Sequence, residues 1–328
     1  MVAIPFVEPL NDLVYGRVDR MSPLVSRVVA ENPSKFTYRG TGTYIIGTDE
    51  VVVIDPGPEL ASHREALERA VTGKRVAGIV VTHCHSDHVP LAPWLSSLTG
   101  APTYGFGPHP RHEIVDDDAD DTDDDDETDE NGETDKAANE DETREHIDHD
   151  FDPTHRVGDG ERFITVDGWS LTAVHTPGHT SNHLCIHLDE ENALFTGDHI
   201  MGWSTTVVSP PDGNMADYFA SVRKLLVRND AILYPTHGNP VRDPQPFLRA
   251  YLQHRVEREE QIIALLGRGD ATIKAMVATM YADVRKELHK AARRSVLAHM
   301  HKLVAEGRVV TADGAPAGPR STYSLRVS

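Results

Sequence analysis

Short apolar runs separated by glycine, proline and polar residues dominate the first half of the chain. Runs of this length, rich in β-branched residues, are typical of buried strands. They predict strands in FTYRG, TYIIG, EVVVIDPG and RVAGIVVTH. Between the strands, PELASHREALERAV places Leu60, Leu67 and Val71 near one helical face, and Pro58 suits a helix start. LAPWLSSL predicts a second helix.

The same alternation resumes after residue 150. ERFITV, WSLTAVHTPG, HLCIHLD and NALFTGDH predict four strands in quick succession, followed by a helix in MADYFASVRKLLVR and a strand in AILYPTHG. Strands therefore come from both halves of the sequence, with helices between them. This pattern predicts an α/β fold in which two sheets are sandwiched between helices.

The alternation of short strands and helices ends in the last quarter of the chain. Residues 244–267 predict a long amphipathic helix, and GRGDAT then breaks the pattern. TIKAMVATMYADV and HKAARRSVLAHMHKLVAEG predict two helices, and a hairpin with glycine and proline at its tip follows them. We therefore expect one domain over residues 1–268 and a small winged helix-turn-helix-like domain over residues 269–328.

Charge is distributed very unevenly along the 328 residues, which carry a net charge of −20. Residues 116–150 contain 20 acidic and 2 basic residues, so the rest of the chain is close to neutral. This segment has one isoleucine and no other large apolar side chain, so it cannot bury enough surface to offset its ordering entropy. We expect a disordered, solvated insertion over about residues 112–150. Capture of cations and binding of a partner are the alternatives.

No apolar run approaches the roughly 20 residues that span a bilayer, and no leader-like segment starts the sequence. Two cysteines, Cys84 and Cys185, are too few for a disulfide framework. These observations predict a cytoplasmic protein with no membrane partner.

A dense group of histidines follows one predicted strand, in the stretch IVVTHCHSDHVP. His83 and His85 are two residues apart at the strand end, so both point to the same side. Asp87 and His88 are adjacent and face different directions. One tetrahedral metal would not accommodate all four residues, whereas two neighbouring metals could share them.

Further candidate ligands follow other predicted strands, at His179, Asp198 and His237. Each lies near glycine, where a loop can bring a ligand close to a shared site. The alternative is a set of incidental surface histidines in a chain that contains 19 of them. Their repeated position at strand ends argues against that alternative.

At these motifs the sequence resembles the metallo-β-lactamase superfamily, over roughly Tyr38 to Leu266. THCHSDH is similar to the family's HxHxDH signature, and TPGHTSNH, FTGDH and PTHG resemble its later motifs in the same order. The resemblance implies an αββα sandwich with two Zn²⁺ per chain. It also implies the ligands: His83, His85 and His179 for one zinc, Asp87, His88 and His237 for the other, and Asp198 bridging both. Asp55 would support the ligands from beneath.

Departures from the family pattern narrow the function. Antibiotic-cleaving members are exported and carry a cysteine at the position of Asp198, which argues against β-lactam hydrolysis here. Thr236 replaces the usual glycine before the last histidine. We interpret Cys84 as inert and His175 and His183 as structural. His199 is a candidate for the substrate pocket.

The resemblance implies a metal-dependent hydrolase in which a hydroxide that bridges the two zincs is the nucleophile. Asp87, a ligand that lies near that hydroxide in the family, could orient it and pass a proton to the leaving group. Asp87 is therefore the predicted catalytic residue.

The substrate stays open between several classes. The winged helix and the tail's 10 basic against 4 acidic residues favour phosphodiester cleavage in single-stranded RNA, as in some lactamase-β-like members. The alternative is a small-molecule ester or thioester, in an acyl hydrolase resembling hydroxyacylglutathione hydrolase. A metal-sensing DNA-binding regulator is a third hypothesis, and a homodimer is left open.

Overall fold

The computed structural model describes residues 2–7, 12–112, 146–269, 271–282 and 289–326. Two β-sheets face each other between helices, which confirms the predicted αββα sandwich. Most of the predicted acidic insertion, residues 113–145, lies outside the described residues.

The first sheet has seven strands in the order of the chain. Its first four strands are antiparallel neighbours, and the last four are joined in parallel. The strands are β1 (Asp19–Arg20), β2 (Val25–Val29), β3 (Gly42–Gly47), β4 (Glu50–Ile54), β5 (Arg75–Val80), β6 (Thr103–Gly105) and β7 (His155–Arg156).

The second sheet has five strands, β8 (Arg162–Val166), β9 (Trp169–His175), β10 (Leu184–Leu188), β11 (Ala193–Gly197) and β12 (Ile232–Pro235). Their order in the sheet is β12-β11-β10-β9-β8, and only the β11–β12 pair is parallel.

Three apolar layers hold the sandwich together. Ile46 of β3 and Ile186 of β10 belong to the layer between the sheets, where both side chains are fully buried. An outer layer joins the first sheet to the helices α1 (Ala61–Val71) and α2 (Ala92–Thr99). The other outer layer joins the second sheet to α3 (Met215–Leu226) and α4 (Pro244–Leu266). Each sheet is therefore apolar on both faces, as in a sheet with no solvated side.

One predicted strand is wrong. FTYRG forms a turn, in which Gly40 N–H donates to the Thr37 carbonyl over 2.8 Å. Tyr38 has a φ of +57°, which lies in the left-handed region and ends any extended run. The apolar spacing of this short segment resembled a strand, but the chain turns here to approach the strand ends of both sheets.

The C-terminal part consists of α5 (Ile273–Met280), α6 (His289–Ala305) and an antiparallel hairpin of β13 (Val309–Thr311) with β14 (Tyr323–Leu325). Its apolar core includes Ile262 and Leu265 from the last turns of α4. The long helix therefore packs against both parts of the chain, and the boundary at residue 268 stays a prediction.

Among the described residues, no helix is both long and apolar enough to cross a membrane.

Candidate metal centre

The candidate ligands and Asp55 lie on loops that leave the carboxyl ends of five strands, and His179 lies on the loop after β9. Asp55 follows β4, the histidine-rich loop follows β5, Asp198 follows β11 and His237 follows shortly after β12. β4 and β5 are parallel neighbours, and so are β11 and β12. Because the carboxyl ends of parallel strands meet at one edge, the sandwich brings these loops to a single cleft.

Three histidine nitrogens converge on one point. His85 Nδ1 lies 2.8 Å from His83 Nε2 and 3.1 Å from His179 Nε2. All three residues are at most 5% exposed. The remaining ring nitrogens of two of them are occupied, since Thr82 Oγ1 lies 3.0 Å from His83 Nδ1 and the Val207 carbonyl lies 2.6 Å from His179 Nδ1. The site-facing atoms of these rings are thereby fixed.

A second group forms beside the first. Asp87 Oδ2 lies 3.4 Å from His88 Nε2 and 3.2 Å from His237 Nε2. In each of the two groups, the three ligand atoms lie within 4.8 Å of one another, close enough to hold one metal ion. The structure thus brings together the two sets of three residues that the resemblance implies.

Asp198 lies between the two groups. Its Oδ2 is 3.6 Å from His88 Nε2, 3.4 Å from His237 Nε2 and 4.0 Å from His179 Nε2. Its other oxygen, Oδ1, is buried and has no hydrogen-bond partner. A carboxylate in this position can reach ions in both groups.

Asp55 lies beneath the site and binds two of its loops, the histidine-rich loop after β5 and the loop after β12. Its Oδ1 accepts the Thr82 N–H over 2.8 Å, and its Oδ2 accepts the hydroxyl of Thr82 over 2.8 Å and that of Thr236 over 3.3 Å. Oδ2 also lies 2.9 Å from His88 Nδ1. A hydrogen bond to Nδ1 turns the opposite nitrogen of that ring towards the site, as second carboxylates do in metal centres.

Two buried polar atoms in this centre, His88 Nε2 and Asp198 Oδ1, have no hydrogen-bond partner. Buried polar atoms without partners are costly, so a native site normally satisfies them. Imidazole nitrogens and carboxylate oxygens together form a donor set that suits zinc and similar divalent metals. The residues present therefore fit a metal centre.

The pKa shifts of the candidate ligands also favour a metal cation in the centre. Burial lowers the pKa of both His83 and His85 well below the ordinary value, helped by the neighbouring imidazoles, so these rings are held in the neutral form that binds metals. At His237, burial opposes the charged ring but Asp198 and Asp87 outweigh it and raise the pKa to about 10. The carboxylates thus favour positive charge in the centre, which a metal cation can supply.

Asp87 differs from the other candidate ligands in its exposure. Its side chain is 21% exposed, whereas those of Asp198 and His237 are 4% and 1% exposed. The Thr41 hydroxyl donates to Asp87 Oδ2 over 2.8 Å and fixes the carboxylate. Asp87 therefore faces the open side of the centre.

Two glycines allow the loops that carry His179 and Asp198 to pack closely against neighbouring residues. Gly178 has a φ of +140°, and a Cβ there would lie 2.4 Å from the Tyr218 Cα. Gly197 has a φ of +49°, and a Cβ there would lie 2.6 Å from His183 Nε2. These positions, one residue before His179 and Asp198, require glycine.

The remaining residues from the sequence analysis lie around the centre. His199 is fully buried against Tyr218, with a ring centroid distance of 4.7 Å, and its place in the substrate pocket stays a prediction. His183 Nε2 accepts the Asp198 N–H over 3.2 Å. Cys84 is buried, and burial raises the pKa of its thiol to about 11, which disfavours the reactive thiolate.

Sequence reasoning missed the hydroxyl groups that support the ligands, namely Thr41, Thr82 and Thr236. The signal for two of them was present, because Thr82 directly precedes His83 and Thr236 directly precedes His237. Thr41 had no such signal, since it is 46 residues from Asp87 in sequence.

Comparison with known proteins agrees with this geometry. Residues 38–237 match the family model of the metallo-beta-lactamase superfamily, and residues 272–316 match that of the beta-lactamase associated winged helix domain. The second match confirms the predicted winged helix.

Two curated relatives and one solved structure illustrate the likeness. A beta-lactamase-like protein 2 homolog from Caenorhabditis elegans is 30% identical over 94% of this chain and 91% of its own length. An atrochrysone carboxyl ACP thioesterase from Cryptosporiopsis sp. is 28% identical over 84% of this chain and 76% of its own. The crystal structure of a metallo-beta-lactamase family protein from Thermus thermophilus is 23% identical, with a TM-score of 0.67 over 93% of this chain and 99% of that one. The last likeness shows the fold alone.

Proposed function

The chain belongs to the metallo-β-lactamase superfamily and is a hydrolase of that fold, and we propose that it cleaves acyl thioesters with two zinc ions. The observation that carries the proposal is the pair of adjacent three-ligand groups that share Asp198. A centre of this kind, open on one side at Asp87, suits hydrolysis of an acyl group that enters from that side.

We assign one zinc to His83, His85 and His179 and the other to Asp87, His88 and His237, with Asp198 reaching both. When bound, the two ions would polarise the scissile carbonyl and lower the pKa of a bound water. Asp55 holds the His88 ring in place through the 2.9 Å contact to Nδ1.

Asp87 is the proposed proton carrier. Its Oδ2 lies 3.2 Å from His237 Nε2 and its side chain is 21% exposed, so the carboxylate borders both the centre and the side from which a substrate would enter. Burial opposes ionisation of Asp87, but His88 and His237 outweigh burial and lower the pKa of the carboxyl, so it starts as a proton acceptor. A carboxylate placed in this way can take a proton from attacking water at Oδ and return it to the thiolate leaving group.

The thioester is favoured over RNA by two observations. First, a relative that matches most of this chain is named a thioesterase. Second, three basic side chains of the winged helix that could contact RNA, Lys290, Arg293 and Arg294, are only partly exposed. Each of the three already takes part in an interaction within the protein. Fewer basic side chains of the winged helix are therefore available to contact RNA than the sequence alone predicts.

A substrate panel tests the proposal. The zinc-loaded full chain should hydrolyse short acyl thioesters, such as acyl-N-acetylcysteamine, with kcat/KM at least about 100-fold above that for bis-nitrophenyl phosphate or single-stranded RNA. Asp87→Asn should lower kcat/KM per bound metal by about 100-fold or more, in the range expected for loss of a general acid–base.

The matched control is Asp167→Asn, which alters an exposed carboxylate in a turn away from the centre. It should leave both metal content and kcat/KM unchanged. Faster turnover of RNA or of the phosphodiester than of any thioester would overturn the substrate assignment in favour of the nuclease alternative.

A further inference from the structure

A second group of histidine and aspartate side chains, residue types that can bind metals, lies apart from the proposed catalytic ligands. It consists of His109, His112, His149 and Asp212, which we call the peripheral histidine cluster. His112 and His149 flank residues 113–145 in sequence, and Asp212 belongs to the loop before α3. Three separate segments of the chain therefore meet here.

Asp212 lies at the middle of this cluster. Its Oδ1 is 3.0 Å from His112 Nε2, and its Oδ2 is 3.6 Å from His109 Nε2. Ligand atoms about 2.0–2.1 Å from a tetrahedral zinc lie about 3.4 Å from each other. The two observed separations lie on either side of that value.

The cluster contains nitrogens that lack partners although they are buried. His109 is 3% exposed, and neither of its ring nitrogens has a hydrogen-bond partner. Burial lowers the pKa of His109, and the nearby Asp212 and Asn182 offset this only in part, so the ring is neutral. His149 Nδ1 is also buried without a partner. Such atoms are costly unless something binds them.

The peripheral histidine cluster is more open than the catalytic centre, whose groups each keep three ligand atoms within 4.8 Å of one another. There, the ring centroids of His83 and His85 are 4.6 Å apart and those of His88 and His237 are 5.7 Å apart. In the peripheral cluster, the His109 and His149 rings are 5.3 Å apart, which is inside this range. The His109 and His112 rings are 6.4 Å apart, so half-exposed His112 must move inwards to join a common ion.

We propose that the peripheral histidine cluster is a further metal site, which binds a transition-metal dication of the zinc class through three imidazoles and the Asp212 carboxylate. Imidazole with one carboxylate suits zinc, nickel and copper rather than magnesium or calcium. Asp212 Oδ2 also accepts the Ser181 N–H over 2.7 Å, two residues after His179. An ion in this site therefore ties the segments on either side of residues 113–145 to the loop of a catalytic ligand.

Metal titration of the full chain tests the proposal independently of any substrate. Metal-free protein is titrated with Zn²⁺ in excess Mg²⁺, so that exposed carboxylates are occupied and only sites with imidazole ligands report. The wild type should bind one ion more per chain than the double variant His112→Ala, His149→Ala. With Co²⁺ as probe, the variant should lose the part of the visible absorption that belongs to that ion.

The control is His155→Ala, which removes an exposed histidine outside the cluster and should bind as many ions as the wild type. Thermal melting in chelator should be the same for all three proteins, which shows that the variants fold. Equal ion counts for wild type and double variant would overturn the proposal and leave the cluster as a hydrogen-bonded contact. The difference in ion count between wild type and double variant does not depend on how many ions the catalytic centre binds.

Discussion

At the scale of single residues, Asp55 supports the centre although it is not itself a candidate ligand. One carboxylate with 1% exposure receives the Thr82 N–H and two hydroxyls and orients His88. It lies at the end of β4 with a φ of +49°, an unusual conformation for a residue other than glycine. This backbone geometry is maintained because the hydrogen bonds around it fix the carboxylate.

Asp55→Asn tests this role. An amide of the same size keeps one acceptor oxygen, but its NH₂ faces the donors of Thr82 or Thr236. We expect zinc affinity at the His88 group to fall about 10–100-fold, the usual cost of losing an outer partner of a ligand. Chelator competition measures the change, and Asp49→Asn, which alters an exposed aspartate just before β4, is the control. Equal affinities in both variants would contradict the orienting role.

The sequence predicts which candidate ligands lie together better than it predicts the residues that support them. The ligands occur in short motifs after strands, because a metal needs particular side chains at particular spacings. Their partners come from distant parts of the chain, as when the Gly40 carbonyl lies 3.3 Å from His237 Nδ1. Backbone groups leave no trace in the residue pattern, so this contact was not predictable.

At the scale of elements, α4 joins the catalytic part to the winged helix along one face. Tyr251, Arg255 and Glu259 are spaced four residues apart, so they lie on the same side. Tyr251 Oη accepts the Thr206 N–H over 2.7 Å, and Arg255 donates to the Thr206 carbonyl. The Thr206 hydroxyl donates in turn to the Asp198 carbonyl over 2.8 Å. The helix thus fixes the loop that carries the shared carboxylate.

One turn further along, Glu259 holds the winged helix. Its Oε2 lies 2.7 Å from Lys302 Nζ, and its Oε1 accepts from Arg308. Burial opposes the charge on Glu259, but His299 and Lys302 outweigh it and lower the pKa to about 2. A buried carboxylate with a depressed pKa stabilises the fold only while it is ionised.

Glu259→Gln should therefore destabilise the protein in a pH-dependent way. Above pH 4.5, the ordinary pKa, the free energy of unfolding should fall by about 2–3 kcal/mol, since a pKa shift of one unit corresponds to about 1.4 kcal/mol. As pH falls from 4.5 towards 2, wild-type Glu259 becomes protonated and the difference should shrink. Denaturant unfolding at several pH values measures it. Glu260→Gln, exposed on the same helix, should show no such difference, and a gap independent of pH would refute the ionic explanation.

The elements themselves were largely predictable from apolar periodicity, with informative exceptions. β2 was not predicted, because VSRVV contains an arginine in the middle of a fully buried strand. Arg27 is 5% exposed, and its guanidinium donates to the Gly238 carbonyl over 2.9 Å. A charged residue whose partner is 211 positions away disrupts the local pattern although the fold satisfies it.

At the scale of the whole molecule, the acidic segment of residues 116–150 carries most of the net charge of the protein. Its last residues are nevertheless part of the fold. Ser86 N–H donates to the His146 carbonyl and Asp148 N–H to the Cys84 carbonyl, each over 2.8 Å. Ile147 packs against the apolar layer beneath α1 and α2. The predicted insertion thus extends too far at its end, because residues 146–148 pair with the histidine-rich loop.

Two deletions separate the contribution of the acidic stretch from that of residues 146–148. Removing residues 116–143 should leave the thermal midpoint and the zinc content of the full chain unchanged, because that stretch contains no large apolar side chain to bury. Removing residues 116–148 also deletes two backbone hydrogen bonds and the Ile147 contact beside His85. We expect this second deletion to lower the midpoint by several degrees, at roughly 2–4 °C per kcal/mol, and to weaken zinc binding. Calorimetry with metal analysis checks both. If the shorter deletion destabilises the protein as much as the longer one, the acidic segment itself contributes to the fold.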